Sequence, residues 1–126
     1  MITFFRCGLY GWAMEILWTG LHSILQKDPT LTGRSSLWMF PIYGTAALIG
    51  PVYRHISSLP VIARGTIYMC GIFAVEYLTG SLLNLFHLCP WDYSHAPLNI
   101  NGVIRLDYAP LWFCAGLIFE WLLRRF

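Results

Sequence analysis

Four long apolar runs fill most of this sequence and constrain its fold more than any other feature. A helix needs about 20 apolar residues to cross the hydrocarbon core of a membrane. The runs predict such spans at about 3–25, 37–53, 65–86 and 108–123. We therefore expect an all-α integral membrane protein with four transmembrane helices, forming a single domain over residues 1–126.

The composition agrees with a membrane protein and argues against other classes. Apolar residues make up 57% of the chain and charged residues 11%, whereas average globular domains carry about 25% charged residues. A soluble enzyme and a disordered tail fit this composition poorly, and the dispersed net charge of +2 fits a nucleic-acid binder no better. The sequence has neither a phosphate-binding loop nor a dinucleotide fingerprint. We expect no cofactor and no ATP hydrolysis by a phosphate-loop mechanism.

Basic residues predict the orientation of the chain. Four spans place both termini on one side of the cell membrane, with five arginines there and three basic residues on the other side, which are Lys27, Arg34 and Arg105. The positive-inside rule then predicts cytoplasmic termini. The loop Leu88–Ile104 would lie outside.

The second run is the least regular, and a weak repeat links the two halves. Pro41 fits the first turn of a helix, but Pro51 should kink or end one. Gly11–Gly20 and Gly71–Gly80 each contain a glutamate followed by a Thr-Gly pair. This similarity indicates two repeated helical hairpins in the same orientation, although chance explains so short a match equally well.

Glu15 and Glu76 are the strongest candidates for a functional site. Each lies near the centre of a predicted span, where an ionised carboxylate costs about 2.5–3.5 kcal/mol. Two carboxylates that face each other at one depth should share a proton, which suits a proton relay or a cation site. The alternative is that both are protonated and only hydrogen-bond neighbouring helices together.

Helical spacing extends each glutamate into a polar stripe. Thr19 and His22 follow Glu15 on one face, and Thr79, Asn84 and His87 nearly follow Glu76. The two stripes could line a polar cleft that opens on the side opposite the termini. Small and hydroxylated residues are equally typical of a packing seam between helices.

The loop after the third span supplies further candidates. Trp91, Asp92 and Tyr93 predict a rigid lid or anchor over the cleft, and the spacing of His and Cys around them matches no standard zinc site. We expect no metal. Arg34 and Arg105 could hold an anionic group or pair with a glutamate, or simply extend to water as ordinary interfacial arginines.

Several motifs resemble one family of small membrane proteins. They are Glu15-x3-Thr19-Gly20, Leu31–Gly44, Arg64-Gly65-x-Ile67-Tyr68, Glu76-Tyr77-x-Thr79-Gly80, Cys89–Tyr93 and Asn101-Gly102-x-Ile104–Pro110. The chain resembles, over about residues 6–123, the family labelled ABC-transporter type IV or CmpB-like, with its relatives called transmembrane protein 229. The resemblance implies a multi-pass membrane protein and assigns no catalytic or binding residue.

Three functions remain open on this sequence. The first is a small transporter or channel-like protein that uses Glu15 and Glu76 as a proton or cation site. Such a protein would lie among membrane lipids and work as a homo-oligomer or with a partner subunit. The second is a membrane-embedded enzyme or binding protein for a lipid or isoprenoid, and the third is a non-catalytic accessory subunit. The first is favoured, so enzyme activity is not the leading expectation.

Overall fold

A computed structural model describes residues 2–125, and the chain is mostly helical, as predicted. It divides into two compact units, Met1–Ala47 and Leu48–Phe126.

The first unit contains a long helix and a short one. Helix α1 spans Ile2–Leu25 and helix α2 spans Met39–Gly44, which continues into a 3-10 turn at Thr45–Leu48. Glycines let the two helices approach closely, because a Cβ on Gly11 would lie 2.1 Å from the Tyr43 ring. A Cβ on Gly8 would likewise lie 2.8 Å from the Phe40 ring. The closely packed face of α1 is therefore a stripe of small residues that receives the aromatic side chains of α2.

The second unit is built around an antiparallel helix pair. Helix α3 spans Ile49–Ile56, α4 spans Val61–Leu85 and α5 spans Ala109–Leu123, after a 3-10 turn at Leu106–Tyr108. Glycine again permits contact between helices. A Cβ on Gly65 of α4 would meet Phe113 of α5, and a Cβ on Gly116 of α5 would lie 2.4 Å from the Cβ of Tyr68.

Prolines explain why the second apolar run is not one continuous helix. Pro41 is the third residue of α2 and Pro51 the third residue of α3. Proline is tolerated in the first turn of a helix because its missing N–H would have no partner there. Pro51, which we expected to kink or end a helix, lies in the first turn of α3, directly after the 3-10 turn at Thr45–Leu48 that interrupts the helical run.

The loop Leu88–Ile104 contains a small β-hairpin that the sequence reading did not predict. Strand β1 (Asn99–Ile100) pairs antiparallel with β2 (Ile104–Arg105). Asn101 and Gly102 have φ angles of 55° and 71°, and the Val103 N–H donates to the Ile100 carbonyl at 3.1 Å. Two positive φ angles with this hydrogen bond define a type I′ turn, for which Asn-Gly is a strong sequence signal.

Two helical segments in the described residues are long and apolar enough to cross a membrane. They are Val61–Leu85 and Leu106–Leu123. Leu78 and Leu85 of α4 are 68% and 75% exposed, which is typical of a surface that lipid covers. The predicted spans at about 3–25 and 37–53 remain predictions.

A pair of alanine substitutions tests the glycine contact between α4 and α5. Gly116→Ala should lower the unfolding free energy by about 1–3 kcal/mol, because the new methyl group overlaps Tyr68. Gly71→Ala is the matched control, since nothing lies within 4 Å of its Cβ position and alanine favours the helix. Thermal unfolding in detergent compares the two variants. Equal midpoints for both would contradict the close packing described for Gly116.

Candidate functional site

Glu15 of α1 is contacted by two hydroxyl groups from its own unit. The Ser35 Oγ donates a hydrogen bond to the Glu15 Oε2 at 2.7 Å, and Tyr43 also hydrogen-bonds to this carboxylate. Ser35 lies in the segment between α1 and α2, and Tyr43 lies in α2. The partners of Glu15 thus come from the part of the chain that folds back along α1.

The segment after α1, residues 31–38, is fixed against the helix by polar contacts and by one glycine. The Arg34 N–H donates to the Thr19 Oγ1 at 2.7 Å, and the Trp12 Nε1 donates to the Ser36 carbonyl at 2.9 Å. A Cβ on Gly33 would lie 2.3 Å from the Ile16 carbonyl oxygen. We call residues 31–38 the first return segment. Its backbone touches α1, which places Ser35 beside Glu15.

Glu76 of α4 is buried and faces a tyrosine from the loop that follows its helix. The Tyr93 hydroxyl lies 3.5 Å from the Glu76 Oε2, and Glu76 is 9% exposed. We call residues 88–105 the second return segment. It crosses α4 at Gly80, where a Cβ would lie 2.9 Å from Trp91 and 3.0 Å from Val103.

Hydrogen bonds hold the second return segment in one conformation. The Trp91 Nε1 donates to the Val103 carbonyl at 2.9 Å, and the Tyr93 N–H donates to the Gly102 carbonyl at 2.9 Å. The Asn101 Nδ2 donates to the Tyr77 hydroxyl of α4 at 2.8 Å. Trp91 and Tyr93 of the predicted lid therefore lie against α4, and the hairpin at Asn101–Gly102 hydrogen-bonds to the same helix.

The two units repeat one local arrangement. In each, a glutamate precedes a Thr-Gly pair on a long helix. Two residues after the end of that helix, the chain has a residue with a φ of 58°, which is Lys27 or His87. The C-terminal ends of the two helices are capped in the same way: the Asp28 N–H donates a hydrogen bond to the Ser23 carbonyl, and the Leu88 N–H donates one to the Leu83 carbonyl. A return segment then crosses the glycine and brings a hydroxyl group to the glutamate.

The remaining predicted residues lie in the last two turns of their helices, just after them or in the second return segment. His22 is exposed near the end of α1, and His87 is exposed just after α4. The Thr79 Oγ1 donates to the Val75 carbonyl of its own helix. Asn84 and Asp92 line an open cavity of about 510 Å³. Within residues 2–125, no three His, Cys, Asp or Glu side chains are close enough together to hold a metal ion.

The two arginines predicted to hold an anionic group differ in their surroundings. Arg105 forms a bidentate ion pair with Asp107, at 3.0 and 2.7 Å, and its guanidinium lies 4.3 Å from the Tyr108 ring centroid. The neighbouring carboxylate raises the pKa of Arg105 and offsets its charge. Arg34 is exposed. Its backbone N–H donates to the Thr19 hydroxyl, and its carbonyl accepts from the same hydroxyl.

Burial and hydrogen bonding also shift the pKa values of Cys89 and Asp92 in the second return segment. Desolvation raises the pKa of the Cys89 thiol, so less of it is the reactive thiolate at neutral pH. Hydrogen bonds from Ser94 lower the pKa of Asp92. Asp92 is therefore a carboxylate under physiological conditions.

A third acidic site escaped the sequence reading. Glu120 of α5 is 5% exposed and pairs with Arg64 of α4 through two hydrogen bonds, at 2.9 and 3.2 Å. The Tyr68 hydroxyl also donates to Glu120. The signal was present, because Glu120 is an acid within an apolar run, just as Glu15 and Glu76 are. This ion pair joins the ends of α4 and α5.

Comparison with known families identifies this chain. The model of the family described as "Putative ABC-transporter type IV" matches residues 2–126. The chain belongs to this family. The match confirms the resemblance noted in the sequence, and with the two apolar helices it fits a membrane transporter-like protein in a lipid environment. No solved structure matches the chain.

The ion pair between Arg64 and Glu120 predicts a strongly non-additive pair of substitutions. Arg64→Met should lower the unfolding free energy by about 3–5 kcal/mol, because it leaves a buried carboxylate without its cation. The double variant Arg64→Met/Glu120→Met should recover most of that loss, since no charge then remains buried. Unfolding in a series of mixed detergents measures the unfolding free energies of the wild type, the single variant and the double variant. Additive losses, or a stable single variant, would contradict the pairing.

Proposed function

We propose that this protein is a small multi-pass membrane transporter or channel-like protein in which Glu15 and Glu76 provide proton or cation sites. Family membership supports the transporter class. The observation that carries the proposal is that hydroxyl groups of the return segments and α2 face both glutamates.

Hydroxyl partners suit a carboxyl group that changes its state. A hydroxyl can donate to a carboxylate and can accept from a protonated carboxyl group, so the contact survives gain or loss of a proton. Glu120 provides the contrast, because the fixed positive charge of Arg64 holds it as a carboxylate. Of the three acidic groups, we assign the exchange of protons or cations to Glu15 and Glu76.

The polar residues near each glutamate supply the proposed route to water. In this proposal Thr19 and His22 extend the Glu15 site, and Thr79, Asn84 and His87 extend the Glu76 site. Trp91, Asp92 and Tyr93 act as a lid. Arg34 attracts anionic groups to the same side, whereas Arg105 is held by its ion pair with Asp107. Four short helices enclose little space, so the proposal includes a second copy or a partner subunit. It also places all four spans in the cell membrane, with cytoplasmic termini.

Proton flux into liposomes tests this function. Purified protein should admit protons when a potassium gradient and valinomycin impose a membrane potential, and an enclosed pH-sensitive dye reports the flux. Glu15→Gln and Glu76→Gln should each lower the flux by at least about tenfold, because an amide cannot exchange a proton. Asp28→Asn is the matched control, since Asp28 is an acid in the turn after α1, and it should leave the flux unchanged. Wild-type flux in both glutamine variants would dismiss the proposed sites.

Labelling of a native cysteine tests the orientation. A membrane-impermeant maleimide should label Cys89 in intact cells, because Cys89 lies in the second return segment. Cys89→Ser should abolish labelling and Cys70→Ser, in the middle of α4, should retain it. Because burial raises the Cys89 pKa, the rate should rise by about tenfold per pH unit below that pKa. Labelling only after permeabilisation would contradict the proposed orientation, because Cys89 would then lie on the cytoplasmic side.

A further inference from the structure

A second polar site lies at the other end of α4, away from Glu76. A cavity of about 180 Å³ is lined by Tyr53 and Arg54 of α3, by Glu120 of α5 and by Arg124 just after α5. We propose that this Tyr53 pocket binds the phosphate group of an anionic ligand. The site is independent of the two glutamates assigned above.

Three elements bring arginines to this pocket. The Arg124 Cζ lies 5.1 Å from the centroid of the Tyr53 ring, and the Arg64 Cζ of α4 lies 5.7 Å from the same centroid. Arg54, which lines the cavity, follows Tyr53 directly. Tyr53 is thus a flat surface around which positive charges from α3, α4 and the end of α5 converge.

The charges of the pocket do not cancel. Glu120 supplies one negative charge, and Arg64 is committed to it through two hydrogen bonds and to the Leu59 carbonyl through a third, at 2.7 Å. The salt bridges within residues 2–125 engage neither Arg54 nor Arg124. These two guanidiniums therefore give the pocket an excess of positive charge, which an anion would offset.

The chemistry and position of the pocket favour phosphate. Guanidinium groups match the oxygens of phosphate in a bidentate geometry. The pocket lies where α4 begins and α5 ends, and these are the two segments apolar enough to cross a membrane. Lipid phosphates lie at the ends of membrane-crossing helices, and dissolved phosphate can reach the pocket from water. The cavity has room for a phosphate group but not for a whole lipid.

Two neighbouring arginines provide a matched comparison. Arg124→Gln removes a guanidinium that lines the pocket, whereas Arg125→Gln removes the same charge one residue later. The Arg125 guanidinium lies 4.0 Å from the Trp121 ring centroid instead.

Full-length protein in neutral detergent micelles would be titrated with short-chain phosphatidylglycerol and, separately, with inorganic phosphate, with binding followed by calorimetry. Arg124→Gln should weaken binding by about tenfold or more, while Arg125→Gln should change it by less than about twofold. Arg54→Gln serves as a second pocket variant and should behave as Arg124→Gln does.

The two probes separate the two sources of phosphate. Saturable binding of phosphatidylglycerol alone supports a lipid headgroup as the ligand, and saturable binding of inorganic phosphate supports a dissolved one. Equal losses in Arg124→Gln and Arg125→Gln would show diffuse charge attraction and overturn the site, as would the absence of saturation with both probes. Proton flux through Glu15 and Glu76 does not enter these measurements, so failure of one proposal is distinguishable from failure of the other.

Discussion

The need to give polar partners to acids in apolar helices governs this structure. An ionised carboxylate near the middle of a membrane span costs about 2.5–3.5 kcal/mol, and three acids occur in the long helices α1, α4 and α5. Glu120 is paired with a cation, Arg64. Glu15 and Glu76 are met by hydroxyl groups from segments that fold back over their helices. The first arrangement fixes a charge, and the second leaves the proton free to exchange in our proposal.

Small residues make these contacts possible. The return segments lie close to the helices at glycines: the backbone of Gly33 lies against Ile16 in the first unit, and the side chains of Trp91 and Val103 pack over Gly80 in the second. A threonine precedes the helix glycine in each unit, and Thr19 also anchors the first return segment. The short Glu, Thr-Gly similarity between the halves therefore has a structural correlate within each unit. Two repeated hairpins in the same orientation stay a prediction.

The sequence predicted the helical class well and the site less completely. Predicted runs at 3–25, 65–86 and 108–123 lie within a few residues of α1, α4 and α5, because long apolar runs leave few alternatives to a helix. Glu15 and Glu76 could be singled out because acids in such runs are costly. Their hydroxyl partners could not, since contacts between Ser35 and Glu15, 20 residues apart, depend on how the chain folds back. Two signals were readable and missed: the Asn-Gly turn at 101–102, and the acid Glu120 in the last apolar run.

Each glutamate should contact a hydroxyl group of its own return segment when the protein is in a bilayer. Solid-state NMR on protein labelled with carbon-13 at glutamate, serine and tyrosine measures these contacts directly. We predict cross peaks between the Glu15 Cδ and the Ser35 Cβ and between the Glu76 Cδ and the Tyr93 Cζ. The first peak should disappear in Ser35→Ala. Absence of both cross peaks from folded protein in lipid would contradict the account.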